Sequence, residues 1–351
     1  MHKRFMKAGF HIKKPQFCRY FQWNHSIVLN GTVSQNYKIQ SKNYFEMFRK
    51  AARIIIVRHG ESEANVSQQC GGWLDSPLTS NGIQQAHQLA TIIMKNKLKF
   101  DVAISSLLSR SICTRNIILE DMNLRKSKQK MEVTDQNANS SDTHIDENIR
   151  VLSIPDDEFK IQVLSTWKLN ECHSGALSGL TLQEASDQFG QDTIQNRFMV
   201  YDSVPPLVSD DSIYNPMNDP HYANVEDREL LPKGESIELA WKRAEPFWKS
   251  VIEDQLLKQG KNVLVVCHGN IIRAIMKYCE NLNVEDCMRR RILPNCMALI
   301  YSFKNGQYQN RKIIGDEMAV KKFKLNYKLR RPQTQDNGGE EKDPMINQGG
   351  F

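Results

Sequence analysis

The sequence predicts an α/β fold: a three-layer, open and mainly parallel sheet with helices on both faces. Two short runs of branched apolar residues support this, Ile54–Val57 and Val263–Cys267. A strand that is buried on both faces of a parallel sheet has such a continuous apolar sequence. Segments with the apolar spacing of helices follow along the chain, which is the alternation expected of βαβ units.

The elements of the first half are predicted from capping residues and apolar spacing. Thr79 can cap a helix, and the next apolar residues have helical spacing. They are Ile83, Ala86, Ala90, Ile93 and Met94. A short strand is expected over residues 100–104, and residues 106–110 lead into another helix.

The elements of the second half follow from similar signals. A long helix is expected to begin at Ser236, to be kinked by Pro246 and to end at Gly260. A further helix starts at about Asn270, after the second apolar run. The last predicted strand covers residues 298–303.

Composition divides the chain into a folded domain and three polar or basic segments. The folded domain is expected over residues 51–325, with a polar insertion at about 125–158 that cannot bury enough apolar surface to order itself. Residues 326–351 form a polar tail that we expect to be disordered. Residues 1–50 form a basic extension, either a mitochondrial presequence or a disordered segment without function.

Charge and cysteine content limit the function classes. The formal charge is +7, but eight Lys and Arg lie within the first 45 residues, which contain no Asp or Glu. Without them the chain has 39 basic and 40 acidic residues. We therefore expect neither a nucleic-acid nor a membrane partner. The eight irregularly spaced cysteines suggest reduced thiols and a cytoplasmic location, with the mitochondrion as the alternative.

Both apolar runs end in a histidine followed by a glycine. The first leads into Arg58, His59 and Gly60, and the second into His268 and Gly269. Ligands of open α/β sheets bind at the carboxyl ends of the strands. Two strands that each end in His-Gly are hard to explain by packing alone, so we predict an active site at this edge.

Longer motifs surround these residues, and together they resemble the histidine phosphatase superfamily, within it the cofactor-dependent phosphoglycerate mutases. The resemblance covers about residues 53–322. The motifs are Arg58-His59-Gly60-Glu61-Ser62, Gly72-Trp73-Leu74-Asp75, Ser106-x-Leu108-x-Arg110, Trp167-Lys168-Leu169-Asn170-Glu171, Leu231-Pro232-Lys233-Gly234-Glu235-Ser236 and Pro246-Phe247-Trp248.

The resemblance implies a phosphoglycerate mutase of glycolysis that works through a phosphohistidine. His59 would be the nucleophile, and Glu171 the proton donor and acceptor. Arg58, Arg110 and His268 would surround the transferring phosphoryl group. Other ligands of the substrate would be Ser62, Asn65, Gly72, Arg197, Gly269 and Asn270. The resemblance also implies 2,3-bisphosphoglycerate as the primer, no metal, and a small phosphorylated substrate, and it leaves the oligomeric state open, a homodimer included.

The specificity pocket departs from the family pattern. Uncharged Cys172 and Ser174 follow the expected catalytic Glu, and Leu182 stands where a substrate-binding lysine is expected. Two adjacent arginines are expected near Phe198 and Met199, where the chain has Arg197 alone nearby. The first alternative is therefore a histidine phosphatase for another phosphoester. The second is a non-catalytic binding protein that retains the fold.

Overall fold

The computed structural model describes residues 51–122, 161–225, 227–304 and 307–329, with the side chains of residues 325–329 left out. These residues belong to one compact unit, Tyr44–Phe351. The basic extension at 1–50 and the insertion at 125–158 lie outside the described residues, as does the tail from residue 330.

Six strands form a single mixed sheet, which confirms the α/β class. Their order across the sheet is β3-β2-β4-β1-β5-β6. The first four strands in that order run parallel, whereas β5 is antiparallel to β1 and β6 is antiparallel to β5. The strands are β1 (Ala51–Arg58), β2 (Val102–Ser105), β3 (Gln162–Ser165), β4 (Val263–Cys267), β5 (Ala298–Lys304) and β6 (Gln307–Ile314).

Helices cover both faces of this sheet, as the three-layer prediction requires. The α-helices are α1 (Glu63–Val66), α2 (Ser80–Lys95), α3 (Ser109–Asp121), α4 (Leu182–Phe189), α5 (Gln191–Met199), α6 (Ile237–Phe247), α7 (Gly269–Cys279), α8 (Val284–Arg289) and α9 (Glu317–Leu329). The last helix, α9, extends past residue 325, where the sequence analysis placed the boundary between the folded domain and the polar tail.

Strand β1 contributes to both cores because successive side chains point to opposite faces of a sheet. Ile55 and Val57 pack in the core that holds the buried residues of α2 and α3. Ile54 and Ile56 pack in the larger core with α6 and α7. Both layers of helices are thus fixed to the strand that ends at Arg58.

Helix α2 begins as predicted but buries a different set of side chains. The Thr79 hydroxyl accepts a hydrogen bond from the Gly82 amide at 2.9 Å. Leu89 is buried together with Ala86, Ala90 and Ile93. Ile83 and Met94, in contrast, are 41% and 42% exposed. The helix presents a narrower apolar stripe to the core than the sequence pattern suggested.

The helix that contains Pro246 changes its hydrogen bonding instead of ending. The Ser236 hydroxyl caps α6 by accepting from the Leu239 amide at 3.1 Å. Beyond Phe247 the chain continues as a π-helix over Trp248–Leu257. Proline has no amide hydrogen for the usual bond to the preceding turn, so a local change at this place is expected. Gly260, with a φ of +76°, terminates the segment.

The described part of the chain contains neither a membrane-spanning helix nor a metal-binding cluster. Across its four ranges, no helix has the length and apolar character needed to cross a bilayer. Within the same ranges, no group of three His, Cys, Asp or Glu side chains is arranged to hold a metal ion.

Candidate active site

The parallel pairing of β1 and β4 brings the two predicted histidines together. Arg58 lies opposite Cys267 at the carboxyl ends of the strands, and the His59 amide donates to the Cys267 carbonyl at 3.1 Å. The ring centroids of His59 and His268 are 5.0 Å apart. The two His-Gly motifs therefore form one site, although they are more than 200 residues apart in the sequence.

His59 is held in the tautomer that a nucleophile needs. Its Nδ1 lies 2.6 Å from the Gly60 carbonyl, which can only accept, so Nδ1 carries the hydrogen and Nε2 keeps its lone pair. Burial, followed by the charges of Arg110 and Arg58, holds the pKa of His59 well below its ordinary value of 6.5. The ring is neutral at physiological pH, as nucleophilic attack requires.

Gly60 is needed for close packing next to His59. A Cβ atom at this position would lie 2.5 Å from the Gly82 carbonyl oxygen. The Gly60 amide donates to the Thr114 hydroxyl at 2.9 Å, which fixes the turn against α3. The glycine after His59 thus sets the position of the carbonyl that orients the ring.

His268 lies against two buried hydroxyl groups. Its Nε2 is 2.7 Å from the Ser106 hydroxyl oxygen and 3.2 Å from that of Ser111. The Ser106 oxygen accepts from the Leu108 amide, and either hydroxyl can donate its own hydrogen to Nε2. The hydrogen of the neutral ring is then on Nδ1, which is buried without a partner in the described part of the chain. Burial above all keeps the pKa of His268 well below 6.5.

Two buried arginines flank the histidines. Arg58 donates through Nη1 to the Leu293 carbonyl at 2.9 Å. Arg110 donates to the carbonyls of Leu74 and Gly72 at 2.7 and 2.8 Å. Burial lowers the pKa of each guanidinium to about 10, so both stay charged at neutral pH. Rigid, charged forks of this kind bind phosphate oxygens.

Glu171 faces the arginines from the loop after β3. Its Oε1 accepts from the Cys172 amide at 2.9 Å, and its Oε2 accepts from the Asn270 amide at 3.2 Å. The side chain is half-buried and lines the same cleft as His59. Its charge acts on both Arg58 and Arg110. A carboxyl group is therefore fixed beside the two buried guanidinium groups.

Most of the predicted site residues line one cleft. His268 is not in the lining: it is fully buried, with its ring next to that of His59. The predicted residues in the lining are Arg58, His59, Ser62, Asn65, Gly72, Arg110, Glu171, Arg197, Gly269 and Asn270. The sequence did not single out Gln68, Gln69 or Ile292, which also line the cleft.

The positions that depart from the family pattern fall into two groups. Leu182 and Phe198 line the outer cleft, whereas Met199 is 49% exposed and is not part of the lining. Cys172 and Ser174 are buried. Ser174 accepts from the Arg197 guanidinium at 2.6 Å, so its hydroxyl anchors the third arginine of the cleft.

An ion pair that the sequence did not reveal supports the segment of Glu171. The Arg243 guanidinium pairs with Glu235 through two hydrogen bonds of 2.8 and 2.9 Å. It also donates to four backbone carbonyls, at 2.9 to 3.2 Å. These carbonyls belong to Trp167, Lys168, Asn170 and Glu171. Both side chains are almost fully buried, which makes Arg243 a positioning residue.

The comparisons with known proteins agree with this site. The sequence profile of the histidine phosphatase superfamily (branch 1) matches residues 54–136 and 211–314. The chain is 33% identical to a 2,3-bisphosphoglycerate-dependent phosphoglycerate mutase 1 of Lactobacillus johnsonii, over 68% of this chain and 87% of the relative. It is 34% identical to a 2,3-bisphosphoglycerate-dependent phosphoglycerate mutase of Borreliella burgdorferi, over 77% of this chain and 94% of the relative.

A solved structure agrees with the fold. A phosphoglycerate mutase from Bacillus anthracis superposes with a TM-score of 0.50 and 21% sequence identity. The superposition covers 80% of this chain and 99% of the solved one. The resemblance inferred from the motifs is thus confirmed at the level of sequence, and the expected fold at the level of structure.

We predict that Arg243→Lys lowers kcat by about 10- to 100-fold with a smaller effect on KM. One ammonium cannot replace a bidentate pair and four carbonyl contacts, and small displacements of catalytic groups cost up to roughly 100-fold in rate. Steady-state kinetics on any phosphoester that the protein turns over test this prediction. Lys242→Arg, at an exposed neighbouring position, is the matched control. A kcat of Arg243→Lys within threefold of the parent would contradict the positioning role.

We also predict that the free energy of unfolding decreases as the pH falls below about 6.5. Burial lowers the pKa of His59 and His268, and that of His173 to about 4. Below 6.5 the unfolded chain binds protons that the folded chain excludes, so stability is complete above this pH and is lost below it. Each residue contributes a slope of up to about 1.4 kcal/mol per pH unit.

Urea unfolding between pH 7.5 and 5 measures this slope. His173→Gln should reduce it, whereas replacing exposed His87 by Gln should leave it nearly unchanged. A free energy of unfolding that stays constant over this range would show that the three buried rings do not control acid stability.

Proposed function

The chain belongs to the histidine phosphatase superfamily, and from this premise we propose that it interconverts 3-phosphoglycerate and 2-phosphoglycerate, a step of glycolysis. The observation that carries the proposal is the geometry of His59. Its Nδ1 is bound to the Gly60 carbonyl, and its ring lies among the guanidinium groups of Arg58 and Arg110. This arrangement suits the formation and breakdown of a phosphohistidine.

The proposed reaction begins with attack of His59 Nε2 on the phosphorus of the ester. The P–N bond forms as the P–O bond of the leaving alcohol breaks. Arg58, Arg110 and His268 Nδ1–H stabilise the charge on the transferring oxygens, which is the main requirement of phosphoryl transfer. Glu171 donates a proton to the leaving oxygen and accepts one from the attacking hydroxyl in the return step.

Two buried donors support the fit of a phosphoryl group at this end of the cleft. Arg58 Nε and His268 Nδ1 have no hydrogen-bond partner within the described ranges. Buried donors are stable when they have acceptors, and phosphoryl oxygens are strong acceptors. 2,3-Bisphosphoglycerate would supply the phosphoryl group that primes His59, and its second anionic end would meet Arg197.

The second candidate is a phosphatase that uses the same phosphohistidine. The apolar side chains of Leu182 and Phe198 in the outer cleft favour it, because they cannot pair with a carboxylate or a second phosphate. Water would then accept the phosphoryl group from His59. In either case we propose a small phosphorylated substrate, and the presence of all five catalytic groups argues against a non-catalytic binding protein.

One experiment separates these functions. Mutase and phosphatase turnover on both phosphoglycerates is measured with and without 2,3-bisphosphoglycerate. The proposal predicts isomerisation that requires the primer, together with an acid-labile label on the protein. His59→Ala should lose both turnover and label. Label retained by this variant would end the assignment of His59, and hydrolysis without isomerisation would favour the phosphatase.

We predict that Leu182→Lys lowers the KM for phosphoglycerate, with a smaller effect on kcat. Leu182 lines the outer cleft and is half-buried, so a lysine there can keep its ammonium in water near the substrate. Improved binding of substrate and transition state alike changes KM rather than kcat. Leu182→Met is the control of similar size, and a KM that rises in the lysine variant would argue for another substrate.

A further inference from the structure

A second cavity lies beside the catalytic cleft and shares no lining residue with it. Its volume is about 160 Å³. The floor is formed by Trp73 and Tyr222, whose rings are buried with centroids 5.0 Å apart. The rim includes Tyr214 and Ile213, which are 37% and 81% exposed. Aromatic and apolar walls of this kind suit an organic ligand rather than a bare ion.

The charges of this cavity are opposite to those of the cleft. Asp75 and Asp219 line it, and no Lys or Arg does within the described residues. Both line the cavity together with Tyr222, and after burial their charges add to the raised pKa of its hydroxyl. Oδ1 of Asp75 accepts a hydrogen bond from the Ser109 amide, and Oδ1 of Asp219 accepts one from the His221 amide.

The remaining acceptors of the cavity point to a ligand with hydrogen-bond donors. Neither Asp75 nor Asp219 uses Oδ2 in a hydrogen bond to the described part of the chain. An ammonium or guanidinium group carries several N–H donors and a positive charge, and its bonds to carboxylates are stronger than those between neutral groups. Asp219 Oδ1 also lies 2.8 Å from His221 Nδ1, which leaves Oδ2 as the oxygen of Asp219 that can meet a ligand.

We propose that this cavity is a binding site for a small organic cation: an ammonium or guanidinium group on an apolar body. The cation lies at Asp75 and Asp219, and the apolar body lies against Trp73, Tyr214 and Ile213. The site is separate from the cleft that binds phosphoryl groups. Trp73 nevertheless connects the two sites, because its indole N–H donates to the Glu171 carbonyl at 2.6 Å.

The test uses benzylammonium and its neutral counterpart benzyl alcohol as probes of the full chain. Dissociation constants are measured by ligand-observed NMR at constant ionic strength. We expect benzylammonium to bind at least tenfold more tightly than benzyl alcohol. Asp219→Asn should weaken benzylammonium binding about tenfold, since asparagine keeps the cap on the His221 amide but removes the charge. Because no phosphorylated substrate is needed, the result is independent of the proposed mutase activity.

Two controls locate the probe. Asp211→Asn removes an exposed carboxylate from the same loop but outside the cavity, and it should leave binding unchanged. Inorganic phosphate, which should occupy the arginine cleft, should not displace benzylammonium. Equal binding of the two probes, no effect of Asp219→Asn, or displacement by phosphate would each overturn the proposal.

Discussion

The parallel register of β1 against β4 is the constraint on which the site depends. Five consecutive residue pairs, from Ile54 with Val263 to Arg58 with Cys267, align the ends of the two strands. Side chains alternate between the faces of a sheet, so a slip of one residue would exchange the residues of the two cores. Burial on both faces therefore fixes the register, and the register fixes the 5.0 Å separation of His59 and His268.

The same burial gives the site its electrostatic character. Two guanidinium groups and two imidazoles share a small volume, and their mutual repulsion is limited because the imidazoles are neutral. The arginines are held by carbonyl oxygens of Leu293, Leu74 and Gly72. Fixed donors and charges of this kind need little rearrangement when negative charge develops between them.

Arg58, His59 and His268 could be predicted from sequence because they follow directly on strong local signals, whereas Arg110 and Glu171 were inferred from the family resemblance. The apolar runs before Arg58 and His268 correctly predicted strands β1 and β4. The cap at Thr79 correctly predicted the start of helix α2. Strand β6 was missed because it is an edge strand with mostly exposed polar side chains. Strand β3 was missed because only two of its four residues, Val163 and Leu164, are apolar.

Arg243 was missed for a different reason. Its partners, apart from Glu235, are backbone carbonyls, and every residue type has one, so these contacts leave no trace in the sequence. The anchoring of Arg197 by Ser174 likewise depends on how α5 packs against the loop after Glu171. Contacts of this type become visible only when the chain is folded.

The distribution of arginines in the cleft separates the chemistry from the choice of substrate. Arg58 and Arg110 are buried beside His59, and in the proposed reaction they would serve the transferring phosphoryl group, whatever alcohol carries it. The outer end relies on Arg197, with Leu182 and Phe198 beside it. Charge-assisted hydrogen bonds contribute roughly 1.5–3 kcal/mol each, so the number of outer cations sets how tightly a second anionic group is held. In the proposed mechanism, substitutions there would change the preferred phosphoester without altering the phosphohistidine chemistry. The outer cleft, and not the histidine pair, would therefore decide between mutase and phosphatase.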